Sequence, residues 1–303
     1  VPLPVLVWCV LCLIWSSTWL FIKLGLADLP PVSFAGIRFV VAASVLWGIV
    51  AIRRTPLPKG ARAWGFLALT GFLAFSLNFG LLFWGEKRTS SGLAAVLQAT
   101  IPAFGLALAH LLLPSDRMTL PKVLGVSLGI AGVAVIFSDR TALAGEDALR
   151  GGIAIVAGAF AVALSNVLVK SRGGSFDPVI LAGVQMTFGL VPLVVVGFLL
   201  EGSPFAFRWT SRAMLSVLYL ALVGSVVAFL LFYWLLRRMD VTRVLLIALV
   251  TPVLAVALGA AVLGERFGTR AFVGTAMILG GVFLGVRRPA KITSRSRPPS
   301  AAS

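Results

Sequence analysis

In the first apolar run of the chain, near residues 4–23, Trp15, Ser16, Ser17, Thr18 and Trp19 follow one another about halfway along. Tryptophans anchored at a membrane interface belong near the ends of such a run, so a pair at mid-depth marks a candidate site. Two indole faces and three hydroxyls suit a small zwitterion or an aromatic amine, the hydroxyls holding its polar ends. The same residues also suit close helix packing, with small hydroxyls at the contact and indoles filling volume. Ser165 and Asn166 place polar groups at similar depth in a later run, and Phe75, Asn78, Gln98 and Thr100 extend the set. Amides in lipid need partners or water, which points Asn78 and Gln98 to an interior. Ser225, Phe229 and Tyr233 recur at i, i+4 and i+8, one stripe of a helix, a pattern shared by cavity walls and packed cores.

Charge inside the apolar runs is scarce. Arg38 is the one basic residue within a run, about 10 Å from the nearer end at 1.5 Å per residue. Either it snorkels to headgroups or it pairs with Glu86, giving an ion pair with a structural or gating role. No Asp or Glu lies deep in a run, which argues for uniport or for coupling through a group near the outer mouth, Glu86 first. Glu265 reads as a turn or cap, and His110, the only histidine, as interfacial. Pro102 and Pro252 each release a backbone carbonyl one turn earlier, at Gln98 and Ala248, giving either a mechanical kink or a bare acceptor. Hydrolytic or metal chemistry needs clustered His, Asp and Glu or a nucleophile with its base; these are missing, so the chain reads as no enzyme, with no cofactor or metal.

The elements that position these residues follow from composition. Of 303 residues 59% are hydrophobic and 12% charged, against roughly 25% charged in soluble domains. A helix needs about 20 apolar residues to cross a bilayer core, and the chain offers such runs near 4–23, 32–52, 63–85, 91–113, 122–138, 151–169, 178–200, 212–235, 243–263 and 270–286. The fold class is therefore an all-α integral membrane protein of ten transmembrane helices. The first run lacks a basic region before it and has nine similar runs after it, so it reads as a span and no cleaved signal. Cys9 and Cys12, one turn apart, read as packing residues. The basic Ser- and Pro-rich segment 288–303 reads as a disordered tail. The net charge of +16 is spread singly or in pairs between apolar runs, with no stripe for nucleic acid.

The chain repeats itself. At an offset of 147, Lys23 falls on Lys170, Ala35 on Ala182 and Gly36 on Gly183. At 149 to 150, Leu81, Leu82 and Phe83 fall on Leu230, Leu231 and Phe232, Lys87 and Arg88 on Arg237 and Arg238, and Pro102 on Pro252. The halves are 1–138 (spans 1–5) and 151–287 (spans 6–10), joined by a linker at 139–150. Five spans per copy is odd, so the second half enters the membrane from the opposite side, the inverted arrangement that alternating access uses. Sixteen of the 26 Lys and Arg residues lie on one side of the spans and nine on the other, placing both termini in the cytoplasm of a cell (inner) membrane. Gly125, Gly129 and Gly132 in span 5, with Gly281 and Gly285 in span 10, have the spacing for close helix approach, within a monomer or in a homodimer.

The run LIWSSTWLFIKLGLADLPPVSFAGIRF, followed by QATIPAFGLALAHLLL and LVTPVLAVALGAAVLGERFG, resembles the EamA-type exporters of the drug/metabolite transporter superfamily over residues 4–287. The resemblance implies a basket-like fold with spans 1, 3, 4, 6, 8 and 9 around a central cavity and spans 2, 5, 7 and 10 peripheral. It also implies export of amino acids or related metabolites. Other cargoes of the same fold stay open: a multidrug exporter, which calls for a buried carboxylate, or a lipid-linked precursor flippase, which calls for a lateral opening and a basic headgroup pocket. The partners expected are a small-molecule substrate and the lipid bilayer.

Overall fold

The computed structural model describes residues 2–86, 88, 94, 97–114, 116–137, 146–254 and 269–286. Their regular structure is helical, and ten helices follow in chain order. They are α1 (Leu3–Leu26), α2 (Pro31–Arg53), α3 (Ala61–Gly71, a π-helical turn Phe72–Leu77, then Asn78–Glu86), α4 (Ile101–Leu112) and α5 (Leu120–Phe137). The second five are α6 (Glu146–Arg172), α7 (Pro178–Glu201), α8 (Ser211–Ala221, a π-helical turn Leu222–Val227, then Ala228–Arg238), α9 (Val241–Leu254) and α10 (Thr269–Val286). Six of these, α1, α2, α3, α6, α7 and α8, are long and apolar enough to cross a membrane, while the described parts of α4, α5, α9 and α10 form shorter apolar helices.

Local chemistry sets the helix starts. Prolines lead α2 and α7 at Pro31 and Pro178, where a missing N–H costs nothing. Asp177 accepts the Val179 N–H at 2.8 Å ahead of α7, and Thr210 accepts the Ala213 N–H at 3.1 Å ahead of α8. The described part of α6 opens at Glu146, inside the connection expected at 139–150. Glu146 and Asp147 suit the positive end of a helix, and Arg150 pairs back to Glu146 at 3.1 Å.

The two prolines at mid-span behave differently. Chain order is broken at Ala99 and Thr100, just before Pro102, and the Thr100 hydroxyl donates to the Leu97 carbonyl at 2.6 Å. In α9 the break falls at Leu246 instead of one turn before Pro252. Thr242 ties the opening turn of α9 to Asp116 in another loop, and the irregularity follows that turn.

Packing runs between the halves. The most extensive pairs are α5 with α10 and α2 with α7; α1 packs on α8 and α3 on α6, partners that exchange under the repeat offset. Glycines make the α5–α10 contact: a Cβ at Gly281 would lie 2.5 Å from the Gly125 carbonyl oxygen, and one at Gly132 would lie 2.6 Å from that of Gly274. The π-turns of α3 and α8 begin at Phe72 and Leu222, which sets the offset there at 150. Leu81, Leu82 and Phe83 therefore correspond to Leu231, Phe232 and Tyr233, one position on from the alignment read in the sequence.

Polar ties join the halves at both ends. Glu201, closing α7, accepts the first N–H groups of α2, from Val32 at 3.0 Å and Ser33 at 2.7 Å. Asp28 accepts from the Thr210 hydroxyl at 2.7 Å and from Arg212 Nε at 3.0 Å. At the other end Asp116 is buried against Lys122 and accepts the Thr242 N–H at 3.2 Å, while Trp8 donates to the Arg243 carbonyl at 3.2 Å.

Candidate functional site

A cavity of about 170 Å³ lies among α1, α2, α3, α4, α6, α8 and α9. Fourteen of its 22 described lining residues fall in seven matched pairs from the two halves: Trp15 with Val162, Trp19 with Asn166, Ala74 with Gly224, Phe79 with Phe229, Leu82 with Phe232, Gln98 with Ala248 and Ile101 with Thr251. Each pair is separated by the repeat offset of its helix, so both halves contribute equivalent positions to much of the chamber, while Arg38 and Asn78 line it without their repeat mates.

Of the sequence candidates, Trp15, Thr18, Trp19, Asn78, Gln98, Asn166 and Phe229 line this cavity, and so do Arg38 and Pro252. In α1 the choice follows helix geometry, since positions 15, 18 and 19 share a face. Ser16, 100° round the helix, is buried and donates to the Cys12 carbonyl, and Ser17 shares a hydrogen bond with Tyr219. Trp15 packs edge-on to Phe229 at 5.7 Å and against Phe232 at 5.3 Å.

The remaining candidates do not line it, each for a visible reason. Phe75 is fully buried among Phe39, Phe79 and Phe229. Ser165 donates to the Thr70 carbonyl at 2.8 Å, and Ser225 to the Leu220 carbonyl at 2.8 Å, the five-residue reach of a π-turn. Thr100 spends its hydroxyl on Leu97, and Pro102 is buried in the α4 packing. The Glu86 side chain and Glu265 lie outside the described residues, and with them the proposed Arg38–Glu86 pair. Tyr233, on the stripe read from α8, turns away and donates to Gln185 Oε1.

Arg38 departs from expectation. The resemblance placed span 2 at the periphery, and snorkelling would take the guanidinium to headgroups. Instead it is 3% exposed, lines the cavity, and lies 4.7 Å from the Phe39 ring centroid and 4.8 Å from that of Phe79. Its Nε has no hydrogen-bond partner among the described residues; neither have Asn78 Oδ1 and Gln98 Nε2. All three belong to cavity-lining side chains. Sequence reasoning missed Phe79, Phe232 and Thr251 on the wall. Thr251 had a signal in its place directly before Pro252, while the two phenylalanines are set by the π-turns, which no pattern in the sequence announces.

A bundle of apolar helices around a chamber walled by both halves, with unpartnered polar groups inside, suits a membrane transporter. Residues 3–138 and 149–287 match the EamA-like transporter family, and the chain belongs to it. The chain is similar to the uncharacterized transporter YoaV of Bacillus subtilis (strain 168), at 28% identity over 90% of this chain and 92% of the relative. It is also similar to a probable amino-acid metabolite efflux pump of Escherichia coli (strain K12), at 29% identity over 90% of this chain and 91% of that protein. A solved crystal structure superimposes with a TM-score of 0.79 over 93% of this chain and 96% of the other, at 19% identity, a likeness of fold.

Proposed function

We propose that the chain is an alternating-access secondary transporter that exports small organic metabolites, amino acids or related compounds, through this chamber between two inverted five-helix halves. The observation that carries the reading is the chamber itself: equivalent positions of both halves wall it, and unpartnered polar groups face into it beside indole and phenyl rings. A wall built twice gives each half the same surface to rock against, so the chamber can open to one side and then the other. The likeness to a probable amino-acid metabolite efflux pump supports the cargo class. The lopsided basic loops support an inner-membrane setting with both termini cytoplasmic.

Efflux from cells or proteoliposomes, with a panel of amino acids and with and without a proton gradient, tests the reading. Trp19→Ala and Asn78→Ala each lower transport about tenfold, the scale of one lost polar or aromatic contact of 1–1.5 kcal/mol. If neither substitution changes transport of any amino acid moved by the wild type, the chamber is not the path.

A further inference from the structure

Arg38 and Gln185 occupy the same place in the two halves: α2 and α7 both open on a proline, at Pro31 and Pro178, and the two residues lie seven positions on. Their surroundings differ. Gln185, fully buried, donates from Nε2 to the Thr70 hydroxyl at 2.6 Å and accepts from Tyr233. The positions equivalent to Thr70 and Tyr233 in the other half are Leu220 and Phe83, and neither can accept or donate a hydrogen bond. The second half thus holds a satisfied neutral amide where the first holds a cation whose matching partners are hydrocarbon.

The asymmetry extends round the chamber. Asn78 and Gln98, the other two cavity residues with an unpartnered polar atom, have Ala228 and Ala248 as their equivalents. Among the described residues, the fully buried unpartnered polar atoms of the cavity wall therefore belong to the first half, whereas the second half contributes Phe229, Phe232 and Ala248 with the polar Asn166 and Thr251. Among the described residues Arg38 Nε has no partner, and a guanidinium in an apolar interior without a counter-charge is costly, so membrane proteins keep one where a partner arrives. Its planar fork of N–H donors matches a carboxylate in two parallel bonds.

We infer that Arg38 is the anchor for a carboxylate on the transported molecule, with the Asn78 and Gln98 amides beside it and the cargo's apolar part lying against Trp15, Phe229 and Phe232. The inference rests on the transport reading for its setting and narrows the cargo to amphipathic carboxylates, among them amino acids with apolar side chains. It also gives Arg38 a role as ligand contact in place of the ion-pair role with Glu86.

Four probes that share a phenyl group separate the contributions: L-phenylalanine, 3-phenylpropanoate, L-phenylalaninamide and phenethylamine. Binding to the purified full-length protein in nanodiscs, for wild type and Arg38→Gln, is the measurement. Wild type binds the two carboxylates at least roughly tenfold more tightly than the amide and the amine, the discrimination expected of one charge-assisted pair. Arg38→Gln binds acid and amide alike. A wild type that binds none of the four, or an Arg38→Gln protein that keeps the preference for carboxylates, overturns the inference. A second readout needs no ligand: Arg38→Met holds or raises the Tm of the empty protein, because an unpaired buried charge is removed, whereas a fall in Tm would mean that Arg38 is a structural ion-pair partner. If proteoliposomes move no amino acid while Arg38-dependent carboxylate binding persists, the amino-acid export reading falls and the anion anchor stands. If amino acids are exported with no dependence on Arg38, the reverse holds.

Discussion

Gln185 illustrates how a single side chain is committed to structure. Its amide joins Thr70 on α3 to Tyr233 on α8, and Ser165 on α6 bonds the Thr70 carbonyl, so one buried network ties four helices. Replacing Gln185 with Leu leaves the buried Tyr233 hydroxyl without its acceptor, while Thr70 keeps its bond to the Phe66 carbonyl, and should cost about 1–3 kcal/mol, read as a lower Tm of the purified protein. Asp28 gives a pH-dependent case in the turn between α1 and α2. The Thr210 hydrogen bond, then the Arg212 and Arg208 cations, hold its carboxyl below the ordinary value of 3.8. A carboxyl lowered in the folded state stabilises above that ordinary value, and the contribution is lost as pH falls through the depressed one. Wild type should therefore lose stability on acidification below pH 3.8 relative to Asp28→Asn, which lacks the titrating group. Which hydroxyls and aromatics reach the chamber was legible in α1, where 15, 18 and 19 share one face. It was not legible for Ser165, Ser225 or Phe75, whose partners lie on helices far away in sequence.

At the scale of elements, the paired π-turns decide which residues of α3 and α8 face inward. One extra residue per turn rotates everything beyond it by about 100° relative to a continuous α-helix. Inserting one Ala after Leu77 should swing Asn78 and Phe79 about 100° off the wall and abolish transport while the protein still reaches the membrane, whereas deleting Leu73 should restore a regular α3 with both residues still on the wall. An insertion variant that transports normally would mean the facing of these two residues has no part in the site. The Asp116 tie shows a different dependence on tertiary contact. Its carboxylate takes the Thr242 N–H and hydroxyl in the first turn of α9 together with the buried Lys122 ammonium, so a loop of the first half finishes a helix of the second. Asp116→Ala strands Lys122 without its main counter-charge, and a loss of about 3–5 kcal/mol is expected in thermal or denaturant unfolding.

For the whole molecule, alternating access demands that one end part while the other closes. In the structure the end carrying Asp116, Thr242, Trp8 and Arg243 is joined. If transport proceeds by rocking of the halves, a cross-link between Asp116→Cys and Thr242→Cys should stop net flux in proteoliposomes, and reduction should restore it; undiminished flux in the cross-linked protein would show that this end never parts. Duplication, ten apolar helices and a polar first span were legible in the sequence because hydrophobic run length and repeated Lys, Gly and Pro are local properties of the chain. An arginine in span 2 was equally visible, and its type alone said that it needed a counter-charge or water. Where it would find one was decided only by tertiary structure. Two nearly equal halves folded round a shared chamber, and small differences between them, Phe83 against Tyr233 and Leu220 against Thr70, satisfied a buried polar group in one half and left its counterpart open in the other. A hydrogen bond needs a partner within about 3 Å, and which groups come that close is a property of packing that no single stretch of sequence contains.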